Sequence, residues 1–270
     1  MSQALTIVLD PLFRASRVPL SQLAPRDFSS LMSGTLGALV VPELLSAGQS
    51  AAAVAALDAL PGQTYDPGRV PHTMGRIGPA LNDHRQGRHL DAGTYWPLVD
   101  QARTAWDGLG LAEDPSTIVL DRLAQAWGSP INPATIDGRP VWPFTIREIN
   151  NGTYVHYDEI LREYPHGVFD QEIVWQLTLN VWVSAPAAGG ETSLWRRRWT
   201  PADQRFAQGY GYQPVVTFGH QRLDVAPDLG AGLLMSPSWY HMARLVVEGR
   251  RVALSCFLGY TLSGQLVTWS

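Results

Sequence analysis

Residues 232–260 read GLLMSPSWYHMARLVVEGRRVALSCFLGY and contain three strand-like segments separated by short turn clusters. The segments are Gly232–Met235, His241–Val247 and Arg251–Tyr260, and they are rich in β-branched, aromatic and leucine residues. Such residues favour extended strands, whereas the Ser-Pro-Ser and Glu-Gly clusters between them favour turns. This alternation predicts a β-sandwich or barrel in this part of the chain.

The same pattern extends upstream to about residue 140, where the composition changes. Further strands are predicted at Phe144–Ile149, Thr153–His156, Ile173–Ser184, Thr192–Arg196 and Pro214–Thr217. Each is short and rich in Val, Ile, Thr, Trp or Tyr, and a turn cluster follows it. Residues 140–270 are therefore predicted to form a β-rich core.

The first 139 residues carry helical patterns and loops instead. Helices are predicted at Ser46–Leu60, Tyr95–Leu109 and Ser116–Trp127, and strands at Ala4–Leu9 and Gly37–Pro42. Because no hinge-like linker separates the two parts, we predict a single domain over residues 1–270, of the α+β, mainly β class. Its helical, loop-rich portion 1–139 is expected to pack on the core 140–270.

The composition is that of an ordinary folded protein: hydrophobic residues make up 45% of the chain and charged residues 16%, with a net charge of −4. Since there is no basic stripe or polybasic tail, we expect neither nucleic acid nor a membrane as partner. No apolar run reaches the roughly 18 residues of a membrane span, and no signal-peptide pattern is found. One cysteine, Cys256, allows no internal disulfide, so we expect a cytoplasmic protein.

His156-Tyr157-Asp158 follows a predicted strand and is the first candidate for metal chemistry. Residues i and i+2 of a strand project to the same face, so an imidazole and a carboxylate at this spacing can bind one ion. With a second histidine they make the facial triad of non-haem iron(II) oxygenases. His89-Leu90-Asp91 has the same spacing, but it lies in a Gly- and Arg-rich loop without a comparable series of strands after it. We therefore favour His156.

His241, which opens a predicted strand, is the candidate for the second histidine. Arg251 follows ten residues later, beyond a turn, and begins the adjacent predicted strand. An arginine there can hold a carboxylate through a bidentate ion pair, as a dicarboxylic keto acid bound to the metal would require. Arg250 competes for this role and Arg244 is a weaker rival, but the ten-residue spacing favours Arg251.

The ordered set of these motifs resembles the iron(II)/2-oxoglutarate-dependent dioxygenases. The set consists of His156-x-Asp158, Gly189-Gly190-Glu191, His241 and Gly249-x-Arg251, and residues 140–262 carry the resemblance. The resemblance implies a double-stranded β-helix (jelly roll, cupin-like) core. It also implies Fe(II) held by His156, Asp158 and His241, 2-oxoglutarate held by Arg251, and O2 as the oxidant.

Two further runs, Arg147-Glu148-x-Asn-Asn-Gly and Trp195-x-Arg-x-Trp199, look like the branch that contains free-amino-acid hydroxylases and halogenases. Halogenases of that branch have Gly or Ala in place of the carboxylate, which leaves room for chloride on the iron. Position 158 is Asp. The resemblance therefore implies hydroxylation of an unactivated C–H bond in a small polar molecule, such as a free amino acid, and not halogenation.

Four more residues are candidates for the cavity around this site. Asn180 and Trp182 alternate along the predicted strand Ile173–Ser184, so they share one face and would line the cavity near the keto acid. Core packing is the alternative for Trp182. Arg147 and Glu159 are candidates for holding a zwitterionic substrate, with solvated surface charges as the alternative.

Two other functions are compatible with the sequence. The same site could desaturate or cyclise its substrate, because these reactions diverge from hydroxylation only after hydrogen abstraction. A non-catalytic jelly-roll protein could bind a small molecule or a metal, although such a protein has no need for Arg251 beside a complete triad. His72 and His84, in the loop region 63–92, could belong to a lid, and no feature predicts the oligomeric state.

Overall fold

The computed structural model describes residues 9–60, 63–64 and 75–270, with only the backbone described for residues 63–64. The predicted strand Ala4–Leu9 lies outside the described residues except for Leu9, and His72 lies outside them as well. Among the described residues, no helix is long and apolar enough to cross a membrane.

Five α-helices lie within the described part of the chain: α1 (Pro25–Met32), α2 (Ala47–Ala59), α3 (Ala92–Asp107), α4 (Pro115–Trp127) and α5 (Ile160–Glu163). The three predicted helices are confirmed as α2, α3 and α4. Ser46 caps α2 by accepting the amide of Gln49, and Gly128 ends α4 in the left-handed conformation. Helix α3 begins before its predicted start because the side chain of Asp91 accepts the amide of Thr94.

The strands are, in chain order, β1 (Ala15–Arg17), β2 (Ala38–Val41), β3 (Gln63–Thr64), β4 (Gly75–Ile77), β5 (Arg85–Gln86), β6 (His89–Leu90), β7 (Asn132–Pro133), β8 (Thr135–Ile136), β9 (Arg139–Pro140), β10 (Thr145–Glu148), β11 (Ile173–Ser184), β12 (Ala188–Gly189), β13 (Thr192–Arg198), β14 (Ala207–Gln208), β15 (Gly211–Tyr212), β16 (Arg222–Val225), β17 (Gly232–Met235), β18 (Trp239–Ala243), β19 (Val246–Glu248), β20 (Val252–Thr261) and β21 (Leu266–Trp269). Four 3-10 helices, at Leu20–Gln22, Leu81–His84, Pro201–Phe206 and Pro214–Thr217, complete the regular structure of the described residues.

The largest sheet, the major sheet, has the strand order β1-β2-β17-β11-β20-β10-β4-β3, with β21 paired to β20 and β7 to β21. The long strand β11 lies between β17 and β20 and is antiparallel to both. On one face of β11, the outer face, Leu177, Leu179 and Val181 pack with Phe28 and Leu31 of α1 in the main apolar cluster. Burying each such leucine contributes about 1.5–3 kcal/mol to folding.

A smaller sheet, the minor sheet, consists of β16, β13 and β18, with β13 in the middle. Trp182 and Ala253 of the major sheet pack with Leu194 and Val225 of the minor sheet in a second apolar cluster. The two sheets therefore face each other, and the face of the major sheet on this side is called the inner face. The architecture contains both α-helices and β-strands, with helices on the outer face of a large β-sheet. It agrees with the predicted α+β, mainly β class.

Two predicted strands are absent as such. Pro214–Thr217 is a 3-10 helix, because Pro214 fixes a helical φ at its first position and the hydroxyl of Thr217 donates to the carbonyl of Pro214. The segment Thr153–His156 pairs only through two isolated bridges and not as a continuous strand.

The prediction for residues 241–251 needs two corrections. The predicted strand His241–Val247 is broken into β18 and β19, because the chain leaves the minor sheet after Ala243 and β19 pairs with β12. Arg251 does not begin a strand adjacent to that of His241: β18 belongs to the minor sheet, whereas β20, which starts at Val252, belongs to the major sheet. The two residues therefore lie at opposite sheets.

Candidate active site

His156 and His241 face each other across a pair of backbone hydrogen bonds. The amide of His156 donates to the carbonyl of His241 at 2.9 Å, and the amide of His241 donates to the carbonyl of His156 at 2.8 Å. This isolated antiparallel bridge brings the two imidazole rings to 4.3 Å between centroids. Two segments that are distant in the chain thus present both rings at one point.

The backbone also fixes the orientation of both rings. Nδ1 of His156 lies 2.8 Å from the carbonyl oxygen of Tyr154, and Nδ1 of His241 lies 2.9 Å from that of Trp239. Since a carbonyl only accepts hydrogen bonds, each Nδ1 carries a hydrogen, which leaves Nε2 as the atom through which each ring can bind a metal. Metal-binding histidines are commonly oriented in this way.

Asp158 supplies the third side chain of the cluster. Its amide donates to the carbonyl of Pro237 at 3.0 Å, which holds this segment beside β18. Oδ2 of Asp158 lies 3.8 Å from Nε2 of His156 and 3.5 Å from Nε2 of His241. One ligand atom from each of the three residues lies within 4.8 Å of the others. Two imidazole nitrogens and one carboxylate oxygen in this arrangement fit Fe(II).

The protonation states of these residues also suit metal binding. Burial, together with the nearby His241, lowers the pKa of His156 to about 4, so its imidazole is neutral at neutral pH. Burial alone would raise the pKa of Asp158, but interactions with His241, His156 and Arg147 lower it to about 2. A neutral imidazole and an ionised carboxylate are the forms in which these side chains bind metals.

Arg251 is buried, with 3% of its surface exposed. Its Nε donates to the carbonyl of Gly190 at 2.9 Å, and its Nη2 donates to the hydroxyl of Thr192 at 3.3 Å. Burial, and then the charge of Arg147, lower the pKa of Arg251 to about 10, so the guanidinium stays charged at neutral pH. Among the described residues no carboxylate forms an ion pair with it. A buried charge of this kind fits an anionic ligand.

The Gly189-Gly190 turn makes room for this guanidinium. The two glycines have φ values of +78° and +73°, which other residues rarely adopt. A Cβ on Gly190 would lie 3.2 Å from Cδ of Arg251 and 2.9 Å from Cγ of Pro186. The Gly-Gly motif of the sequence therefore shapes the surroundings of Arg251.

The two rival arginines have different environments. Arg250 forms ion pairs with Asp58 and Glu148, each at 2.7 Å. Arg244 is exposed and lies 4.0 Å from Asp224. Of the three arginines considered from the sequence, only Arg251 is buried.

Asn180 and Trp182 both lie on the inner face of β11. Oδ1 of Asn180 accepts a hydrogen bond from the hydroxyl of Ser255 at 2.8 Å. Asn180 is partly exposed although strands flank it on both sides, so its exposed part faces the space between the sheets. Trp182 is fully buried, and its indole N–H has no acceptor among the described residues. Their roles near the keto acid stay predictions.

Arg147 lies on β10 opposite Ala253 and is half-buried on the inner face. Its charge lowers the pKa values of His156, Asp158 and Arg251, which places it near both parts of the site. Arg147 is therefore positioned to contact an anionic group beside the His-Asp-His cluster.

Glu159, the other residue predicted to hold substrate, forms an ion pair with Arg162. The guanidinium of Arg162 in turn lies over the ring of Trp199, 4.7 Å from its centroid. This carboxylate already has a cation beside it, and its predicted role in substrate binding stays a prediction.

The alternative motif His89-Leu90-Asp91 has a local structural role. His89 lies exposed on the small hairpin of β5 and β6. Asp91 caps α3, and its Oδ2 accepts a hydrogen bond from Gln86 at 2.7 Å. The preference for His156 over His89 agrees with these positions.

Sequence reasoning missed two residues that support the cluster. The hydroxyl of Tyr210 accepts the amide of Tyr154 at 2.9 Å, and its ring lies edge-on to His156 at 5.7 Å between centroids. Oδ1 of Asn150 accepts the amide of Arg251 at 2.9 Å. The Asn-Asn-Gly run was a signal for Asn150, whereas no spacing in the sequence points to Tyr210.

The chain is 44% identical over 247 residues to an L-gamma-glutamyl-L-propargylglycine hydroxylase from Streptantibioticus cattleyicolor, and the match covers 91% of this chain and 92% of that protein. The chain belongs to the iron(II)/2-oxoglutarate-dependent oxygenases. The family expected from the motifs is thereby confirmed. As a member of it, the protein is an oxygenase that uses iron(II), 2-oxoglutarate and O2. No family model matches the chain.

Solved structures of another oxygenase share the fold. An N-substituted L-amino acid dioxygenase from Burkholderia ambifaria AMMD matches with a TM-score of 0.62 at 15% identity, over 92% of both chains. The structure of that enzyme in complex with alpha-KG matches with a TM-score of 0.59 at 14% identity, over 91% of both chains. At this level of identity the similarity is one of fold.

Proposed function

We propose that this oxygenase hydroxylates an unactivated C–H bond of a small amino-acid derivative, with free amino acids and γ-glutamyl amino acids as the first substrate classes to test. The observation that carries the proposal is the 44% identity, over nearly the whole chain, to a hydroxylase named for a γ-glutamyl amino acid. The carboxylate at position 158 supports it, because that carboxylate is absent from the halogenases of the related branch.

His156, Asp158 and His241 are the proposed iron ligands, and Arg251 is the proposed partner of the distal carboxylate of 2-oxoglutarate. When bound, iron(II) and 2-oxoglutarate supply the activation of dioxygen, and the keto acid is converted to succinate and carbon dioxide. The backbone carbonyls of Tyr154 and Trp239 accept from Nδ1 of His156 and of His241, which directs each Nε2 toward the ion. Since Arg251 is fixed by Gly190 and Thr192, it presents its charge without reorganisation.

The residues on the inner face complete the proposed site. Asn180 and Trp182 are the proposed residues near the keto acid. Asn180 is partly exposed on the inner face, whereas Trp182 is fully buried and packs behind the site. Arg147 binds a carboxylate of the substrate, and Glu159 is retained as a second predicted contact. The remaining task of the protein is to orient one C–H bond toward the metal.

The finer structural predictions belong to the same proposal. The major and minor sheets face each other across the second apolar cluster, and this arrangement supports a double-stranded β-helix core. The main apolar cluster includes residues from both 1–139 and 140–270, which supports a single domain. The single cysteine supports a cytoplasmic location. A net charge of −4 without a basic stripe or polybasic tail supports a small-molecule partner over nucleic acid or membrane.

The proposal is tested with the purified protein under anaerobic conditions. Iron(II) and 2-oxoglutarate are added, and the weak visible metal-to-ligand charge-transfer band is recorded for the wild type and for Asp158→Ala. We expect the band in the wild type and a weakened or absent band in the variant. A folded, iron-loaded wild type without the band would refute 2-oxoglutarate as co-substrate.

The reaction itself is tested by adding O2 and a panel of free L-amino acids and γ-glutamyl amino acids, including L-γ-glutamyl-L-propargylglycine. We expect substrate-dependent succinate and a product heavier by one oxygen atom. A product lighter than the substrate by two hydrogen atoms would show that the enzyme desaturates or cyclises its substrate instead of hydroxylating it. Absence of succinate above background with every compound would refute free and γ-glutamyl amino acids as the substrate classes.

A further inference from the structure

Glu163 has a carboxylate near the His-Asp-His cluster, and the proposed function assigns it no role. It is the last residue of the short helix α5, which begins directly after Asp158 and Glu159. Its side chain is half-buried, and the negative charge of Asp158 acts on it. Glu163 therefore lies on the Asp158 side of the cluster.

The polar side chain that acts on this carboxylate is an amide. Asn82, in the 3-10 helix Leu81–His84, lowers the pKa of Glu163 and so favours its ionised form. A carboxylate only accepts, so Nδ2 of Asn82 faces Glu163 and Oδ1 points elsewhere. That Oδ1 is buried and accepts no hydrogen bond from any described residue. A buried acceptor without a donor costs free energy, which a ligand N–H would recover.

Contacts made by neighbouring residues hold the turn that carries Asn82 next to the end of α5. The amide of Leu81 donates to the carbonyl of Ser270 at 2.7 Å. The hydroxyl of Tyr164, the residue after Glu163, donates to the carbonyl of Leu81 at 3.4 Å. The Asn82 turn and the end of α5 are thus linked independently of the two side chains that face each other.

The surroundings of Glu163 disfavour its ionised form. Burial first, and then the charge of Asp158, raise its pKa to about 7, whereas Asn82 and Arg85 act in the opposite direction. Nη1 of Arg85 donates to the backbone carbonyl of Glu163 at 3.5 Å. Within the part of the chain that the structure describes, no cation lies at ion-pair distance from this carboxylate. The neighbouring Glu159, in contrast, is paired with Arg162. A cation next to Glu163 would stabilise its ionised form.

We propose that Glu163 and Asn82 form the subsite for the protonated primary amine of the substrate. An ammonium group is a cation and also a hydrogen-bond donor, so it satisfies the carboxylate of Glu163 and Oδ1 of Asn82 together. Arg147 provides a positive charge near the same cluster for the substrate carboxylate. This inference rests on the proposed function, because it assigns the group by which that amino-acid derivative is recognised.

The test compares each substrate of the panel with its N-acetyl derivative, which lacks the positive charge. KM and kcat are measured by succinate release for the wild type, Glu163→Gln, Asn82→Ala and the control Glu172→Gln. Glu172 is an exposed residue directly before β11. We expect the wild type and the control to prefer the free amine. In Glu163→Gln, KM for the free amine should rise about 10- to 100-fold, the scale of one charge-assisted hydrogen bond, while kcat changes little.

Asn82→Ala should raise KM for the free amine less than Glu163→Gln does, because only a neutral acceptor is lost. Circular dichroism and the charge-transfer band with 2-oxoglutarate establish that each variant is folded and binds the co-substrate. If the wild type uses free and N-acetylated compounds equally, or if both variants keep its preference, the amine subsite is refuted although the hydroxylase assignment stands. If no compound is turned over by the wild type, the proposed function fails first and the subsite falls with it.

Discussion

The two faces of the major sheet have opposite chemistry although the same strands build both. On the outer face of β11, Leu177, Leu179 and Val181 pack under the helices. On the inner face, Asn180 of the same strand is partly exposed to the space between the sheets, and Arg147 of β10 acts on the charge of Asp158. Alternation along a strand thus separates residues that hold the fold from residues that serve the reaction.

The difference predicts that substitutions on the two faces have separable effects. An outer-face change removes packing and lowers the free energy of unfolding. An inner-face change removes a ligand contact, and where it removes an unpaired buried charge it can even stabilise the fold. Functional sites commonly sacrifice stability in this way.

The largest effect is expected for His241→Ala, which removes one proposed iron ligand. Activity should fall more than about 100-fold, since loss of even an outer partner of a metal ligand costs about 10- to 100-fold. Succinate release and the charge-transfer band measure this loss, with the exposed His89→Ala as control. Comparable activity in the two variants would exclude His241 as a ligand.

Leu179→Ala probes the outer face. Leu179 is completely buried, so its truncation should lower the free energy of unfolding by about 2–5 kcal/mol. Urea denaturation gives this value, and KM for 2-oxoglutarate should stay unchanged where the protein is folded. A large rise in that KM without loss of stability would contradict the separation of the two faces.

Arg251→Gln probes the inner face. We expect the affinity for 2-oxoglutarate to fall about 10- to 100-fold, as for loss of a charge-assisted contact. The unfolding midpoint should stay constant or rise, because a buried charge without an ionised partner in the described chain is removed. Titration of the charge-transfer band with 2-oxoglutarate measures the affinity. An unchanged affinity would show that Arg251 is not the partner of the distal carboxylate of 2-oxoglutarate.

Arg250→Gln is the matched control and should have the smallest effect. Arg250 is partly exposed and pairs with Asp58 and Glu148, so the free energy of unfolding should fall by about 0.5–1 kcal/mol, the range of surface ion pairs. The affinity for 2-oxoglutarate should equal that of the wild type. A result in which Arg250→Gln weakens 2-oxoglutarate binding and Arg251→Gln does not would reverse the assignment of the two arginines.

Much of the fold and the cluster could be predicted because the signals are local. The helix over Ala47–Ala59 follows from its Ala-rich sequence and its Ser46 cap. The strand Ile173–Ser184 coincides with its prediction at both ends. His156 and Asp158 share a two-residue spacing, and His241 and Arg251 lie near turns that the sequence marks. For the helix, the strand and the His156–Asp158 pair, short-range stereochemistry decides the outcome, whereas His241 meets His156 through the pairing of distant segments.

Of the features that were not predicted, one depends on local chemistry that the strand-like composition hides, and another on contacts between distant segments. Pro214–Thr217 is composed like a strand, but the ring of its proline and a side-chain hydrogen bond make it a 3-10 helix. Asn82 and Glu163 meet only because two remote segments pack together. No periodicity in the sequence predicts that Asn82 and Glu163 meet, so only the folded chain shows it.

The reciprocal backbone bonds of His156 and His241 have a consequence for dynamics. Because each amide donates to the carbonyl of the other residue, separating the two segments breaks both bonds in a single opening. The two amide hydrogens should therefore exchange with solvent at similar free energies of opening, and an ion that binds both rings should slow both to the same degree. In this protein the amide protons of the two histidines would report the occupancy of the iron site without any chromophore.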